Sequence, residues 1–548
     1  MTVLTLDRML RRQAAERGTK IALRAGAESC TYATLDRRAS QVARGLIAAG
    51  VRPGDRVAYL GKNTLDYFEY FMGAVKARAV MVPVNWRLAE PELRFILENA
   101  RVRNLLAEAS FAAIAQGVAP PGTDLLVSGG ANSSYREWRD RQSAEDTAPT
   151  PDWSEAMLQL YTSGTTGRPK GAVLTHRSLF GLRTDPDNIP DWYRWSPEDT
   201  SLIAMPVAHA AGTGWGIWTL QHGATGVIAS EFVPQAVFDQ IVEHRINKLM
   251  MVPTAMQIAV RHPKSRSTDF SFLRYIYYGG APIPEALLRE CTEVFGCGFV
   301  QMYGMTETSG AIVALAPEDH APGAGRRARS VGRPLRGVEL RIIDRDGREV
   351  PPGTIGEIAT RSVANMAEYF DDPAATAETV DAAGWLRTGD AGQLDADGYL
   401  YLEDRIKDLI ISGGENIYPA EVENAIFGHP AVTEVAVIGV PDEKWGESVR
   451  AVLVAAPGAA RDEAGILSWA SERIARYKLP KSFVWVDALP RNQTGKVLRR
   501  KLRETHGTGT ATAGTAAGAG TAPAAGAGTA AGAGPSPGAS PAPARDIR

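Results

Sequence analysis

Between residues 34 and 84 the hydrophobic period of the sequence switches repeatedly, and this alternation restricts the chain to layered α/β folds. Leu35, Val42, Leu46 and Ile47 recur at helical spacing through 34–49. Residues 56–60 form a short apolar run of strand type, 65–76 return to the helical period, and 80–84 read again as a strand. Pro91 sits near the start of a further helix, where its missing N–H is harmless. Helices alternating with short apolar strands stack as layers. The 548 residues are too many for one compact domain. The expected class is α/β, with a large multilayer N-terminal domain over 1–404 and a small α+β domain over 405–504.

In the second region Pro419 opens a helix through Phe427, and 432–440 and 448–455 read as strands. Residues 462–477 follow as a long amphipathic helix and 483–486 as a last strand. The joint between the regions falls in the charged stretch 403–408. From Gly507 to Ala544 the chain contains only Gly, Thr, Ala, Pro and Ser. Such side chains bury too little apolar area to offset the entropy of ordering, so 505–548 is expected to be a disordered tail.

Sixty Lys and Arg against 62 Asp and Glu leave a net charge of −2, which does not single out nucleic acid or an anionic membrane as partner. Any anion site must be local. Cys30, Cys291 and Cys297 stand outside any CxxC or zinc spacing and read as reduced, buried thiols of a cytoplasmic protein. The N-terminus lacks the uninterrupted apolar stretch of a signal peptide. The apolar run 202–220 is broken by Pro206, His209, Gly212, Gly214 and Gly216, and reads as a buried strand, a loop and a helix rather than a membrane span. Peripheral membrane contact and oligomeric state stay open.

The segment Tyr161-Thr-Ser-Gly-Thr-Thr-Gly-Arg-Pro-Lys-Gly171 carries the strongest chemical signal. Gly164 and Gly167 let backbone N–H groups approach a polyphosphate, while Thr162, Ser163, Thr165, Thr166 and Lys170 add donors and charge. It is not a Walker A loop, because Arg168-Pro169 separates the second glycine from the lysine. The bland reading is a hairpin rich in small residues.

This segment resembles the signature loop of the adenylate-forming superfamily, which includes acyl-CoA synthetases. Further likenesses follow in that family's order over residues 5–504: Gly279-Gly-Ala-Pro-Ile-Pro284, Gln301-Met-Tyr-Gly-Met-Thr-Glu307, Trp385-Leu-Arg-Thr-Gly-Asp390, Asp404-Arg-Ile-Lys-Asp-Leu-Ile410 and Asn492-Gln-Thr-Gly-Lys496. The resemblance implies ATP and coenzyme A as substrates, a small-molecule carboxylic acid as their partner, and Mg²⁺ as cofactor on the oxygens of Thr162 and Glu307. It implies that Thr306 donates to the α-phosphate. Gly280 and Ala281 pass a planar base close to the backbone, Gln301, Met302 and Tyr303 line the nucleotide, and Asp390 with Arg405 holds the ribose. Lys496 is the expected catalytic cation between carboxylate and α-phosphate. Lys407 is the expected hinge of a mobile small domain, whose rotation brings Ser412, Gly413, Gly414 and Glu415 to the thiol. The two glycines equally suit a plain strand turn.

Two segments, Gly439-Val-Pro-Asp-Glu-Lys-Trp-Gly-Glu447 and Ala475-Arg-Tyr-Lys-Leu-Pro480, resemble acyl-CoA synthetases and favour coenzyme A over a carrier protein. His209, Gly212 and Trp215 fall where the resemblance expects the acyl pocket. Gly212, Gly214 and Gly216 are expected to leave space for an apolar chain. Trp215 and Trp218, at i, i+3 spacing, shorten that cavity, meet an aromatic acid, or belong to the core. Likeness to bacterial fatty-acid–CoA ligases, in Val82-Pro-Val-Asn-Trp-Arg-Leu88 and Ile410-Ile-Ser-Gly-Gly-Glu-Asn-Ile-Tyr-Pro419, favours a fatty acid; an aromatic, alicyclic or steroid-derived acid is the alternative.

Overall fold

The computed structural model describes residues 4–507 except 131–132, 147, 163–168, 184–188, 282, 322, 406–407, 413–414 and 492–495. The expected tail therefore lies outside the described residues, save that the last helix, Arg499–His506, runs past residue 504.

Two large sheets organise the N-terminal part. One is ordered Glu368–Tyr369, Lys170–Thr175, Ala156–Thr162, Val80–Val84, Arg56–Leu60, Asn104–Glu108 and Asp124–Ser128. The other runs Arg333–Pro334, Gly310–Leu315, Gly298–Met305, Tyr275–Gly279, Lys248–Met251, Thr200–Ile203, Thr225–Ile228, Ile21–Ala25 and Glu28–Thr31. Strand alternation sends each sheet's side chains into two different cores. Val57 and Tyr59 join the shared interior, whereas Ala58 and Leu60 pack against the outer helices Glu90–Asn99 and Ala112–Val118. In the same way Tyr277 points to the shared interior and Ile276 and Tyr278 to the helices Pro234–Glu243, Pro253–Arg261 and Glu285–Phe295.

The shared interior holds Leu35, Val42 and Leu46 of helix Tyr32–Ala48, Phe68 and Phe71 of Leu65–Lys76, and Trp215 and Trp218 of Ala210–Gln221. The last of these helices is buried through most of its length, which explains an apolar run that is not a membrane span. No helix among the described residues is long and apolar enough to cross a membrane.

A smaller antiparallel sheet, Val338–Ile343, Gly356–Ser362, Leu386–Leu394 and Leu400–Arg405, ends at the expected joint. Beyond it, Glu415–Ile417, Ile410–Ser412, Gly446–Ala455, Val432–Asp442 and the parallel edge strand Ser482–Trp485 form a sheet with its own two-sided core. Val437, Val449, Ala451 and Leu453 meet helices Pro419–Ile426 and Glu463–Ser471, while Ala436, Ile438, Val440 and Val452 meet Leu489 and Leu502. The expected long helix over 462–477 is a correction: it stops at Ser471. A separate 3₁₀ turn, Arg476–Lys478, follows, because Pro480 holds Leu479 in an extended conformation and Lys478 reaches Glu421 at 2.7 Å.

Candidate active site

The strands Ala156–Thr162 and Lys170–Thr175 pair as a hairpin, with Tyr161 opposite Gly171 and Thr162 opposite Lys170. Both ends of the hydroxyl-rich segment are thereby fixed; its interior, Ser163, Gly164, Thr165, Thr166 and Gly167, lies outside the described residues. The Tyr161 hydroxyl donates to Asn99 Oδ1 at 2.6 Å and accepts from Gln159 Nε2 at 3.1 Å. Thr162 Oγ1 donates to Glu307 Oε1 at 3.3 Å, and Tyr369 donates its hydroxyl to the same oxygen at 2.7 Å. Two hydroxyl donors thus converge on one carboxylate that is only 5% exposed. Lys170 Nζ lies 5.2 Å from the centroid of the Tyr369 ring, a cation over an aromatic face. Sequence reasoning missed Tyr369. It arrives through the two-residue strand Glu368–Tyr369, which pairs with Val173 and Ala172 far away in the chain and has no local signature.

The second wall of the site is built by adjacent strands. Gly279 pairs with Met302 and Tyr278 with Gln301. A Cβ on Gly279 would stand 2.2 Å from the Met302 carbonyl oxygen, and Gly280 has φ +80°, so the backbone at this strand end requires glycine twice. Ala281 continues the turn. The Tyr303 hydroxyl donates to Asp390 Oδ2 at 2.9 Å. Asp390 is paired with Arg405 across neighbouring strands; of Arg405 the backbone alone is described. Thr306 begins the 3₁₀ turn that carries Glu307, so Tyr303, Thr306 and Glu307 lie on one short stretch of chain.

In the C-terminal part Lys496 is half-buried; Arg491 bridges Val497 and the Leu498 N–H donates to the Pro490 carbonyl at 2.8 Å, while residues 492–495 lie outside the described residues. Arg491 donates to Glu434 at 2.7 Å and reaches Thr254 Oγ1 of helix Pro253–Arg261 at 3.4 Å. Lys407 lies outside the described residues. Its neighbour Asp408 is clamped by Arg503 at 2.5 Å and Arg499 at 3.8 Å. Ser412 pairs with Glu415 and with Gly446; Gly413 and Gly414 lie outside the described residues.

Among the residues expected at the acyl pocket, His209 precedes helix Ala210–Gln221 and meets Asn85 at 3.2 Å, Nε2 to Nδ2. Asn85 Oδ1 accepts the Arg87 N–H at 3.2 Å, which leaves its Nδ2 to donate and makes His209 Nε2 the acceptor. Burial, with Arg87 nearby, pushes His209 down to about 4, so it is neutral near pH 7 with its proton on Nδ1. The expectation that three glycines open the pocket is corrected. A Cβ on Gly212 would lie 2.2 Å from the Pro206 carbonyl oxygen, and one on Gly216 would lie 2.4 Å from the Phe68 ring. Those two glycines permit close packing; Gly214 alone of the three meets nothing within 4 Å. Trp215 is 3% exposed, its ring centroid 5.0 Å from those of Trp195 and Tyr277 and 5.6 Å from Trp218. Beside the Pro206 loop a cleft of about 160 Å³ is lined by Asn63, Trp86, Val207, Phe232 and Thr254.

Residues 10–370 match the family described as AMP-binding enzyme, and 421–496 match the AMP-binding enzyme C-terminal domain. The chain belongs to the AMP-binding enzyme family. Within it, this adenylate-forming enzyme falls among the AMP-forming acid–CoA ligases. It is 42% identical to the fatty acid–[acyl-carrier-protein] ligase ScoC of Streptomyces coeruleorubidus, over 86% of this chain and 91% of that protein. It is 40% identical to a feruloyl-CoA synthase of an Amycolatopsis species, over 89% and 96%. The ATP-bound crystal structure of MatB from Rhodopseudomonas palustris superposes with a TM-score of 0.83 at 32% identity, covering 92% of this chain and 99% of that one.

Proposed function

We propose that this AMP-binding enzyme is an ATP-dependent fatty acid–CoA ligase working through an acyl-adenylate. The observation that carries the reading is the convergence of Thr162 and Glu307 at the mouth of the 161–171 hairpin, with the Tyr303–Asp390 pair a short step along the same chain. That spacing suits a nucleotide with its phosphates at the hairpin and its ribose at Asp390. Ser163, Gly164, Thr165, Thr166, Gly167 and Lys170 then surround the polyphosphate, while Gly280, Ala281, Gln301, Met302 and Tyr303 frame the base.

In the first half-reaction a carboxylate oxygen attacks the α-phosphorus. The bond from that phosphorus to the bridging oxygen breaks, and pyrophosphate leaves. Lys496 sits between the two anions as they meet, and Thr306 donates to the α-phosphate. In the second, a thiolate sulfur attacks the acyl carbonyl carbon; the bond from that carbon to the phosphate oxygen breaks and AMP leaves, the thiol proton passing to solvent. The small domain, joined at 404–405, turns about Lys407 between the two steps and presents Ser412–Glu415 to the thiol.

Mg²⁺ fits the donors present. Thr162 and Glu307 offer two hard oxygens. Bound there, it would neutralise phosphate charge.

Coenzyme A as acceptor is supported by the exposed Trp445, whose ring has Lys444 Nζ at 4.8 Å and Lys481 Nζ at 4.5 Å, a stacking face beside positive charge. Unpaired Cys30, Cys291 and Cys297 suit a reducing cytoplasm, where ATP and coenzyme A are present. A second reading of the acid, an aromatic one, is supported by the 40% identity to a feruloyl-CoA synthase; Trp195, Trp215, Trp218 and Tyr277 are packed against one another in the core. A panel of alkyl and aromatic acids, assayed for pyrophosphate release with and without coenzyme A, tests these readings. Preference for medium or long alkyl acids supports the first. Preference for cinnamate-type acids supports the second. Acyl-AMP without thioester when coenzyme A is supplied overturns the acceptor.

A further inference from the structure

The nucleotide wall has a polar backing. Tyr278, 1% exposed, places its hydroxyl 2.9 Å from His320 Nε2 and 3.3 Å from Gln301 Oε1. His320 places its other nitrogen, Nδ1, 2.8 Å from the carbonyl oxygen of Ala316. One hydroxyl proton therefore faces two acceptor atoms, and only one of them can take it.

Hydrogen-bond chemistry decides which. A carbonyl oxygen accepts and never donates, so the Ala316 contact requires the proton on His320 Nδ1. In the neutral ring Nε2 is then a lone pair, and Tyr278 gives its proton to it. Burial holds His320 below the ordinary imidazole range, which keeps the ring neutral. The Tyr278 oxygen, its proton spent, offers only lone pairs to Gln301. The carboxamide satisfies them by turning its NH₂ toward Tyr278, and its carbonyl oxygen then faces the opposite way.

We propose that His320 is a positioning residue for nucleotide selection: acting through Tyr278, it sets the Gln301 carboxamide with its oxygen toward the base. The inference rests on the assignment of Gln301 to the base site made above. An exposed carboxamide oxygen accepts from an exocyclic amine, the group adenine carries at C6, and is repelled by the carbonyl oxygen that guanine and hypoxanthine carry there. If the His320 acceptor is removed, the Tyr278 hydroxyl is released to donate to Gln301 Oε1. The amide then presents NH₂ instead, which suits a C6 carbonyl.

The test measures KM and kcat for ATP and for ITP in acid-dependent pyrophosphate release by the full chain, comparing wild type with His320→Phe, His320→Gln, Tyr278→Phe and Gln301→Ala. His320→Phe keeps an aromatic ring at a position where the Tyr278 and His320 centroids lie 5.7 Å apart, but has no acceptor. It is expected to raise KM for ATP and to lower the ATP-over-ITP preference by about tenfold, the scale of one misdirected hydrogen bond. His320→Gln supplies an acceptor oxygen near the Nε2 position and is expected to restore the preference. Tyr278→Phe removes the hydroxyl, leaves the carboxamide free to turn either way, and is expected to lower the preference by less than His320→Phe does. Because the preference is a ratio within one preparation, partial misfolding does not alter it. If Gln301→Ala changes the preference but His320→Phe and Tyr278→Phe do not, the relay is refuted. If Gln301→Ala leaves it unchanged, the placement of Gln301 at the base is refuted instead.

Discussion

Substituting Gly212 and Gly214 separately by alanine distinguishes two reasons for a glycine. At Gly212 a new Cβ would lie 2.2 Å from the Pro206 carbonyl oxygen and 2.5 Å from that of Met205. Ordinary contact requires the loop to retreat by about 1 Å, since carbon and oxygen do not approach within about 3.2 Å without cost. Overpacking of this kind costs about 1–3 kcal/mol. For a unit of this size that lowers the thermal midpoint by about 1–4 °C. The same loop leads directly into His209. Displacing it by about 1 Å is expected to lower kcat/KM for the acid by up to about 100-fold, whatever the acid's length. Gly214→Ala meets nothing within 4 Å and sits inside a helix, so it is expected to keep or slightly raise the thermal midpoint, by the preference of about 1 kcal/mol for alanine over glycine. Its effect on activity is confined to the bulkiest acids accepted. Thermal denaturation and a pyrophosphate-release panel read both variants. A Gly212→Ala protein with an unchanged midpoint and a merely shortened acid range would refute the packing argument.

Lys496→Ala is expected to slow acyl-AMP formation by at least about 100-fold while sparing thioester formation from supplied acyl-AMP, read by separate half-reaction assays; equal loss in both removes its assigned role. Lys407→Pro is expected to impair the thioester step and leave adenylation measurable. A pH effect follows from His176, 1% exposed, whose Nδ1 accepts the Leu6 N–H at 3.1 Å and which burial pushes down to about 4. Above pH 6.5 the ring is neutral folded or unfolded and contributes no pH dependence. As pH falls from 6.5 toward 4 the unfolded chain takes the proton first, so stability drops by about 1.4 kcal/mol per unit and levels off below pH 4. His176→Asn, which keeps an acceptor for Leu6, is expected to flatten that part of the pH dependence of the thermal midpoint. An unchanged slope would exclude His176 as its source.

Much of the central architecture was legible because strand alternation and helical period are local. Arg56–Leu60, Leu65–Lys76 and Val80–Val84 fall where the pattern puts them, since each strand's odd and even residues serve different cores. The helix expected over 462–477 overran because its helical spacing continues past Ser471, although the chain there leaves the helix and re-forms only the short 3₁₀ turn Arg476–Lys478. At the site, the ordered motifs led to Thr162, Glu307, Tyr303 and Asp390, which the fold brings into contact pairwise. Tyr369 and Asn85 escaped notice as partners of Glu307 and His209 because both contacts are made across the fold. Gly212 was misjudged for a related reason. Sequence shows that a side chain is missing, and only the neighbouring carbonyl shows whether that makes a space or a contact.

The most direct measurement is acid-dependent exchange of labelled pyrophosphate into ATP, with Mg²⁺ present and coenzyme A omitted. Reversible formation of an acyl-adenylate predicts exchange that requires a carboxylic acid, needs no thiol and disappears in Lys496→Ala. Exchange that appears only when coenzyme A is added, or acid-dependent release of phosphate and ADP in place of pyrophosphate and AMP, would contradict the account.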